Sequence, residues 1–197
     1  ADIKPITTPE SAYQYPNSIY AQTKKDQEDM VLMIGRTYDI PAVSLRYFNA
    51  YGPRQSLSNP YNGVLAIFIS RLKNNHRPII FEDGLQTRDL ISIHDIVRVN
   101  MIAMEQEKAN FETFNVGSGT PSSIRDIAEC TSEFLGKDIK PDITMKFRKG
   151  DVRHCIADNS KLHDLLGFVP QTAIEDGLKE VIEWSGTTHA EDRFDEV

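Results

Sequence analysis

The sequence lacks several features that would define its class at once. It has two cysteines among 197 residues, Cys130 and Cys155, and they do not have the close spacing of metal ligands. We interpret them as buried free thiols, which fits a reducing cytoplasm. No apolar run approaches the roughly 20 residues that cross a bilayer. The first twenty residues are polar and proline-rich, unlike a signal peptide. We therefore expect a cytoplasmic protein without a membrane segment.

An excess of positive charge is also missing. There are 22 lysines and arginines against 29 aspartates and glutamates, which gives a formal net charge of −7. This balance argues against nucleic acid as a partner, because a phosphate backbone requires a basic face. The five histidines do not cluster, so we expect no metal site. With 40% hydrophobic and 26% charged residues, the composition is that of a globular protein long enough to bury a core.

Segments with helical and with strand-like patterns alternate along the chain, which indicates an α/β architecture. The patterns predict helices over 18–37 and 63–74, a helix capped by His94 or Asp95, and another that begins at Pro121. Short apolar stretches between them predict strands at 42–48, 78–81, 88–93, 113–116 and 143–147. Residues 185–197 are polar and acidic, and we expect them to fray.

The most informative stretch lies near the start of the chain, where Tyr20 and Lys24 are four residues apart. On a helix, this spacing places both side chains on one face. A tyrosine titrates near pH 10 and is a poor base at neutral pH, but an ammonium within about 5 Å favours the phenolate. Such a tyrosine can take a proton from a hydroxyl group during oxidation of the same carbon. The spacing alone is weak evidence, since seven tyrosines make a chance pair plausible.

Arginine recurs beside glycine or proline in three predicted loops, at Arg54, at Arg88, and at Arg148 with Arg153. A guanidinium group binds phosphate oxygens with two hydrogen bonds. In an acidic chain, such confined positive charge suggests a small anionic ligand. The alternative is that each arginine pairs with a nearby carboxylate such as Asp83, Asp89 or Asp151.

Five motifs in order give a resemblance to a known family. The Tyr20–Lys24 pair is followed by RYFNAYGPR at 46–54, GLQTRD at 84–89, FNVG at 114–117 and GDVRH at 150–154. Together they resemble the extended short-chain dehydrogenase/reductases, specifically the NAD-dependent nucleotide-sugar epimerases and dehydratases, over about residues 9–184. Residues 52–61 and 147–155 look most like dTDP-L-rhamnose 4-epimerases, with UDP-glucose 4-epimerases as near neighbours.

The resemblance implies a role for each matching position. Tyr20 would be the base, Lys24 would favour the phenolate and bind the nicotinamide ribose of NAD, and Phe48 would lie against the cofactor. The substrate would be a nucleotide-diphosphate sugar, a dTDP- or UDP-hexose, whose nucleobase Ile79 and Phe81 would flank. The residues implied in binding its diphosphate or ribose are Asn49, Asn62, Gly63, Val64, Arg88, Arg148 and Arg153.

The chain departs from the family at its beginning, because no glycine precedes Gly35 and the glycine-rich dinucleotide loop is therefore missing. We expect a partial Rossmann-like fold with a small α/β substrate-binding subdomain, without the amino-terminal dinucleotide-binding half. Residues 1–60 would be the last part of the NAD domain. Residues 61–184 would mainly form the sugar-nucleotide subdomain, with some segments returning to the first, and 185–197 would be a polar tail.

The resemblance therefore implies an NAD-dependent 4-epimerase that oxidises its sugar transiently to the 4-keto form, present as a fragment that is inactive alone. Two alternatives stay open. One is a 4,6-dehydratase, which needs acidic residues upstream of the tyrosine. The other is a nucleotide-sugar-binding remnant without redox function. Family members commonly dimerise through the tyrosine-bearing helix, so a homodimer is expected for the full-length protein.

Overall fold

The computed structural model describes residues 5–59, 62–147 and 150–194. It contains the helices α1 (Ile19–Tyr38), α2 (Val64–Lys73), α3 (Ile93–Glu105), α4 (Ile124–Phe134), α5 (Ser160–Leu166) and α6 (Ile174–Gly186). The strands are β1 (Ser44–Tyr47), β2 (Asn49–Tyr51), β3 (Ile79–Ile80), β4 (Thr87–Ser92), β5 (Thr113–Val116), β6 (Pro121–Ser123), β7 (Asp142–Ile143) and β8 (His154–Cys155). In the described ranges no helix is long and apolar enough to cross a bilayer.

Strand β4 is the centre of the largest sheet. Its first half pairs with β6 in antiparallel and with β8 in parallel orientation, and its second half pairs with β2 in parallel orientation. Two smaller parallel pairs, β1 with β5 and β3 with β7, complete the strand pairing of the described residues. Most pairs are parallel and their strands are separated by helices, so the α/β class expected from the sequence is confirmed.

Two hydrophobic clusters meet at β4. Leu90 packs into a cluster formed mainly by α2, α4 and α6, whereas Ile91 packs into a second cluster with α3, α5 and β5. Consecutive side chains of a strand point to opposite faces, so a single strand serves both clusters. Each cluster contains residues from distant parts of the chain, so early and late segments pack together in both clusters.

A buried carboxylate fixes the end of β4 that carries the GLQTRD motif. Asp89 is fully buried, and its Oδ1 accepts hydrogen bonds from the amide and hydroxyl of Ser118 at 2.6 and 2.7 Å. Its Oδ2 accepts from the amides of Gly119 and Ala157, each at 3.0 Å. These four donors satisfy a charge that would otherwise be costly to bury. The carboxylate thereby ties β4 to the loop after β5 and to the segment after β8.

Helix α1 is held against β1 by an ion pair between Glu28 and Arg46. Both carboxylate oxygens of Glu28 accept hydrogen bonds from Arg46, at 2.8 and 2.6 Å, and Oε2 also accepts from the hydroxyl of Ser44. The bonds from Arg46 hold the pKa of Glu28 below its ordinary value, against the opposing effect of burial. This contact fixes the helix that carries Tyr20.

Three expectations about local structure were wrong. The cap of α3 is Ser92, which accepts from the amide of His94, and not His94 or Asp95. Residues 121–123 form strand β6 before α4 begins, because they pair with β4. The segment after α6 packs against the protein, as described below, instead of fraying.

We predict that Asp89→Asn lowers the free energy of unfolding by about 2–4 kcal/mol, because an amide group would face two of the four donors and the negative charge would be lost. Urea unfolding with an unchanged m-value measures this. Asp138→Asn, at an exposed carboxylate, is the matched control and should change stability by less than about 0.5 kcal/mol. Equal stability of the two variants would contradict the anchoring role of Asp89.

We predict that Glu28 makes stability depend on pH. Because its pKa is lower in the folded chain, its contribution is present above the unfolded-state pKa of about 4.3 and is lost as the pH falls through the folded-state value. Glu28→Gln should cost about 1–2 kcal/mol at pH 7, and the difference from the wild type should shrink below about pH 4. Unfolding curves between pH 3 and 7 measure it, with the exposed Glu129→Gln as control. A difference independent of pH would count against the ion pair.

Candidate active site

Tyr20 and Lys24 share one face at the beginning of α1. The helix starts at this point because Ser18 caps it, with Oγ accepting from the amide of Ala21 at 3.1 Å. The Lys24 Nζ lies 5.7 Å from the centroid of the Tyr20 ring, and it donates to Gln27 at 3.2 Å. Tyr20 is 72% exposed. The phenol and the ammonium are therefore on the same side of the helix and accessible, as the spacing predicted.

A separate cavity of about 180 Å³ collects half of the predicted site residues. Those that line it are Asn49, Asn62, Val64, Ile79, Phe81 and Arg88. They come from β2, the beginning of α2, β3 and its following residue, and β4. Asn49 and Arg88, which are 39 positions apart in the sequence, thus meet around one cavity, which the fold achieves by pairing β2 with β4 and packing α2 over them.

The beginning of α2 supplies an anion-binding geometry at this cavity. Gly63 is the N-cap residue and offers no side chain to the first-turn amides, and the neighbouring Asn62 and Val64 line the cavity. The first turn has no acidic residue, whereas Arg71 and Lys73 lie in the last turn. This distribution complements the helix dipole and leaves the amino-terminal end suited to a phosphate group.

Two of the predicted arginines are paired with carboxylates. Arg88 contacts Asp151 at 2.6 Å in the cavity wall. Arg153 contacts Asp83 and Glu82, each at 2.7 Å, and does not line this cavity. Its hydrogen bonds hold the pKa of Asp83 well below its usual range. The alternative of carboxylate pairing is thus realised for both arginines, although Arg88 still borders the cavity.

The remaining predicted residues stand apart from the cavity. Phe48 is half-buried between β1 and β2, and its amide donates to the carbonyl of Val116 at 2.9 Å. Neither Phe48 nor the Tyr20–Lys24 pair lines the cavity. One contact links the two regions, since the side chain of Asn17 donates to the carbonyl of Gly150 at 3.2 Å, next to Asp151. Arg148 lies outside the described residues.

Several lining residues were not predicted: Ile67, Phe68, Gln86, Ile124, Asp151 and Phe194. In the sequence, the apolar residues among them look like ordinary core residues. No local pattern distinguishes a side chain that lines the cavity from one that is buried in the core. Gln86 lies inside the GLQTRD motif, one residue before β4, and this position could have drawn attention to it. Among the described residues no cluster of three or more histidines, cysteines or carboxylates could hold a metal ion.

The segment after α6 forms part of the cavity wall through Phe194. Asp192 pairs with Arg71 at 3.2 Å and with His76 at 2.6 Å, and the Arg71 guanidinium lies 4.8 Å from the Phe194 ring centroid. The side chains of Ser70 and Asn74 donate to carbonyls of the same segment. The expectation that this segment frays is therefore wrong for its described part, because α2 offers it an arginine and several donors that no local pattern reveals.

Comparison with known proteins identifies relatives over most of the chain. A family model described as GDP-mannose 4,6 dehydratase matches residues 2–181. A dTDP-L-rhamnose 4-epimerase of Burkholderia thailandensis is 37% identical over 170 residues, which are 86% of this chain and 46% of that protein. The chain spans about half the length of the curated relatives it matches.

Solved structures agree with this match. The structure of UDP-glucose 4-epimerase from Thermotoga maritima with UDP-glucose has a TM-score of 0.84 and 36% identity, over 94% of this chain and 59% of that one. The structure of UDP-glucuronic acid 4-epimerase from Bacillus cereus with UDP-glucuronic acid and NAD has a TM-score of 0.83 and 31% identity, over 93% and 57%. The chain therefore belongs to the family of nucleotide-sugar epimerases and dehydratases and has part of their Rossmann-like fold.

Proposed function

We propose that this chain supplies the carboxyl-terminal half of an NAD-dependent 4-epimerase acting on a dTDP- or UDP-hexose. The observation that carries the proposal is the cavity that joins an apolar slot, the beginning of α2 and Arg88. Asn17, just before the tyrosine-bearing helix, donates to the carbonyl of Gly150, which is next to the cavity residue Asp151. The sequence identity of this chain to a dTDP-L-rhamnose 4-epimerase and to a UDP-glucose 4-epimerase supports epimerisation at C4 as the reaction.

The residues present fit one end of NAD. Tyr20 is largely exposed, and the exposed Lys24 donates at the surface to Gln27, so both polar groups are accessible to a ribose. Tyr20, Lys24 and Phe48 would hold the nicotinamide ribose portion. When bound, NAD supplies the hydride acceptor for oxidation at C4.

The nucleotide of the substrate would occupy the cavity. Its base would lie between Ile79 and Phe81, and its diphosphate would meet Arg88 and the amides at the start of α2. Asn49 lies on the same wall and would contact the diphosphate side. Arg148 and Arg153 are further candidates for the diphosphate or ribose. Arg153 would have to exchange Asp83 for that partner.

Tyr20 would move the proton in this reaction. It removes the proton of the 4-hydroxyl group as C4 is oxidised, and it returns the proton after the keto sugar has rotated. The Lys24 ammonium, on the same face of α1, stabilises negative charge on the phenol oxygen during the transfer. A 4,6-dehydratase is the second candidate, which the description of the matching family model favours.

The exposed face of α1 supports a homodimer of the full-length protein. Ile19 is 86% exposed, Met33 59% and Met30 49%, a large apolar area for one helix. A second copy would cover this face. The amino-terminal half of the same protein could bury this face equally well. The sedimentation coefficient of the full-length protein distinguishes a dimer from a monomer.

We predict that Tyr20→Phe, in a protein that carries this chain with an amino-terminal dinucleotide-binding half, lowers kcat about 10³-fold, because the proton acceptor is lost. Product analysis on UDP- and dTDP-hexoses measures it and separates an epimer from a 6-deoxy-4-keto sugar. Tyr13→Phe, at a residue that is 90% exposed, should leave kcat unchanged. Full activity of the Tyr20 variant would remove the catalytic proposal, and turnover by the 197-residue chain alone would show that the other half is dispensable.

We predict that Arg88→Gln weakens UDP binding to the 197-residue chain about 10- to 100-fold, because the phosphate loses a charged hydrogen bond and then faces the carboxylate of Asp151 without its guanidinium partner. Isothermal titration calorimetry with UDP measures the loss. The control is Arg36→Gln, since Arg36 is exposed and donates to the carbonyl of Phe111 away from the cavity. Equal UDP affinity of wild type and Arg88→Gln would place the diphosphate elsewhere.

A further inference from the structure

The last described segment of the chain lies along α2 and ends at the cavity. The side chain of Ser70 donates to the carbonyl of Glu191 at 3.0 Å, and that of Asn74 donates to the carbonyl of Ala190 at 2.7 Å. Ala190 is only 5% exposed and belongs to the hydrophobic cluster that contains α2. The main chain is therefore anchored up to Glu191, and the residues after it are positioned by other contacts.

Asp192 sets the direction of the chain at this point. Its Oδ1 accepts from the amide of Phe194, two residues further on, at 3.1 Å, which closes a tight turn of the kind that aspartate favours. Its Oδ2 contacts Arg71 at 3.2 Å and the ring of His76 at 2.6 Å. One carboxylate thus binds α2 and its following residues and also fixes the backbone of Phe194.

The ring of Phe194 has two kinds of neighbour. The Arg71 guanidinium lies 4.8 Å from the ring centroid, and it is itself held in place because its Nε donates to the carbonyl of Arg77 at 2.7 Å. The ring also lines the cavity, together with Ile67 of α2. Phe194 is half-buried, so part of its apolar surface is still available to a ligand.

We propose that Phe194 is a ligand-contacting residue of the cavity, and that Asp192 is the positioning residue that holds its ring against the bound molecule. This inference rests on the proposed function, because the bound molecule is taken to be a nucleoside diphosphate. An apolar ring gains by covering the apolar surface of the nucleoside, whereas the phosphates would find charge and amide groups at Arg88 and at the start of α2. The chain beyond α6 would then be part of the binding site as well as of the core.

A structural role alone for Asp192 makes a different prediction. In that case its ion pair would only hold the segment on α2, and its loss would change UDP affinity equally with or without the ring of Phe194. If Asp192 acts through Phe194, its loss should have no effect on affinity once the ring is absent. A double-mutant cycle in UDP affinity therefore separates the two roles.

The first test is calorimetric titration of the 197-residue chain with UDP. We expect Phe194→Ala and Asp192→Ala each to weaken UDP binding about tenfold, because an apolar contact with the ligand is lost, and the double variant to bind no more weakly than Phe194→Ala alone. Phe134→Ala is the matched control, since Phe134 is also half-buried, has the Lys179 ammonium 5.7 Å from its ring centroid and does not line the cavity. It should keep the wild-type affinity.

The second test needs no variant. Chymotrypsin cleaves after a phenylalanine in a folded segment only when the segment opens, so a ligand that contacts the ring should slow cleavage after Phe194. With saturating UDP we expect the rate of this cleavage, followed by mass spectrometry as the loss of residues 195–197, to fall about fivefold or more. Cleavage after Tyr13, which is 90% exposed, is the control in the same digest and should be unchanged.

The outcomes separate this inference from the function it rests on. Equal UDP affinity of wild type and Phe194→Ala, or cleavage after Phe194 that is indifferent to UDP, would overturn the contact and leave the nucleotide site standing. A loss from Asp192→Ala that persists undiminished in the Phe194→Ala background would overturn the positioning role of Asp192. Failure of the wild type to bind UDP would overturn the proposed nucleotide site and this inference with it.

Discussion

The buried carboxylate of Asp89 is the contact on which the arrangement of this molecule depends. It has no exposed surface, and four donors from two distant segments satisfy it. Because neighbouring side chains of a strand point to opposite faces, burying Asp89 on one face directs Arg88 to the other, where it borders the cavity. One dipeptide thus provides both a structural anchor and the charged group of the candidate site, and the position of Arg88 depends on that of Asp89.

The same carboxylate explains why glycine stands at position 117. A Cβ atom there would lie 2.5 Å from Asp89 Oδ2 and 2.6 Å from the Cβ of Ala157. The loop after β5 must approach β4 this closely for Ser118 and Gly119 to donate to the carboxylate. The FNVG motif and the RD pair of the GLQTRD motif are therefore two sides of one contact, which accounts for their appearance together although Asp89 and Phe114 are 25 positions apart in the sequence.

Local patterns were sufficient where local forces decide the structure, and they failed where a distant partner does. Helix α1 and strand β5 follow from capping and apolar runs, and both lie close to the predicted bounds. Asp95 looked like a helix cap, but its carboxylate accepts from the amides of Gln171 and Thr172, far along the chain. The cavity shows the same limit, because its predicted residues came from motif resemblance, while Gln86 and Phe194 required the packing of strands and of the last segment on α2.

The pairing of Arg88 with Asp151 shows how an acidic chain can hold an anion site. A guanidinium without a partner in a partly apolar wall would be unfavourable, and at 2.6 Å Asp151 provides that partner. A phosphate that binds Arg88 must either replace this carboxylate or share the guanidinium with it, so the affinity reflects the difference between two ionic contacts and not the full strength of one. A diphosphate carries more charge than a single carboxylate and, in the proposed position, would also meet the dipole of α2, which would favour the exchange. A lone carboxylate ligand would gain little from this exchange, so a site built in this way would favour a polyvalent anion over a monovalent one.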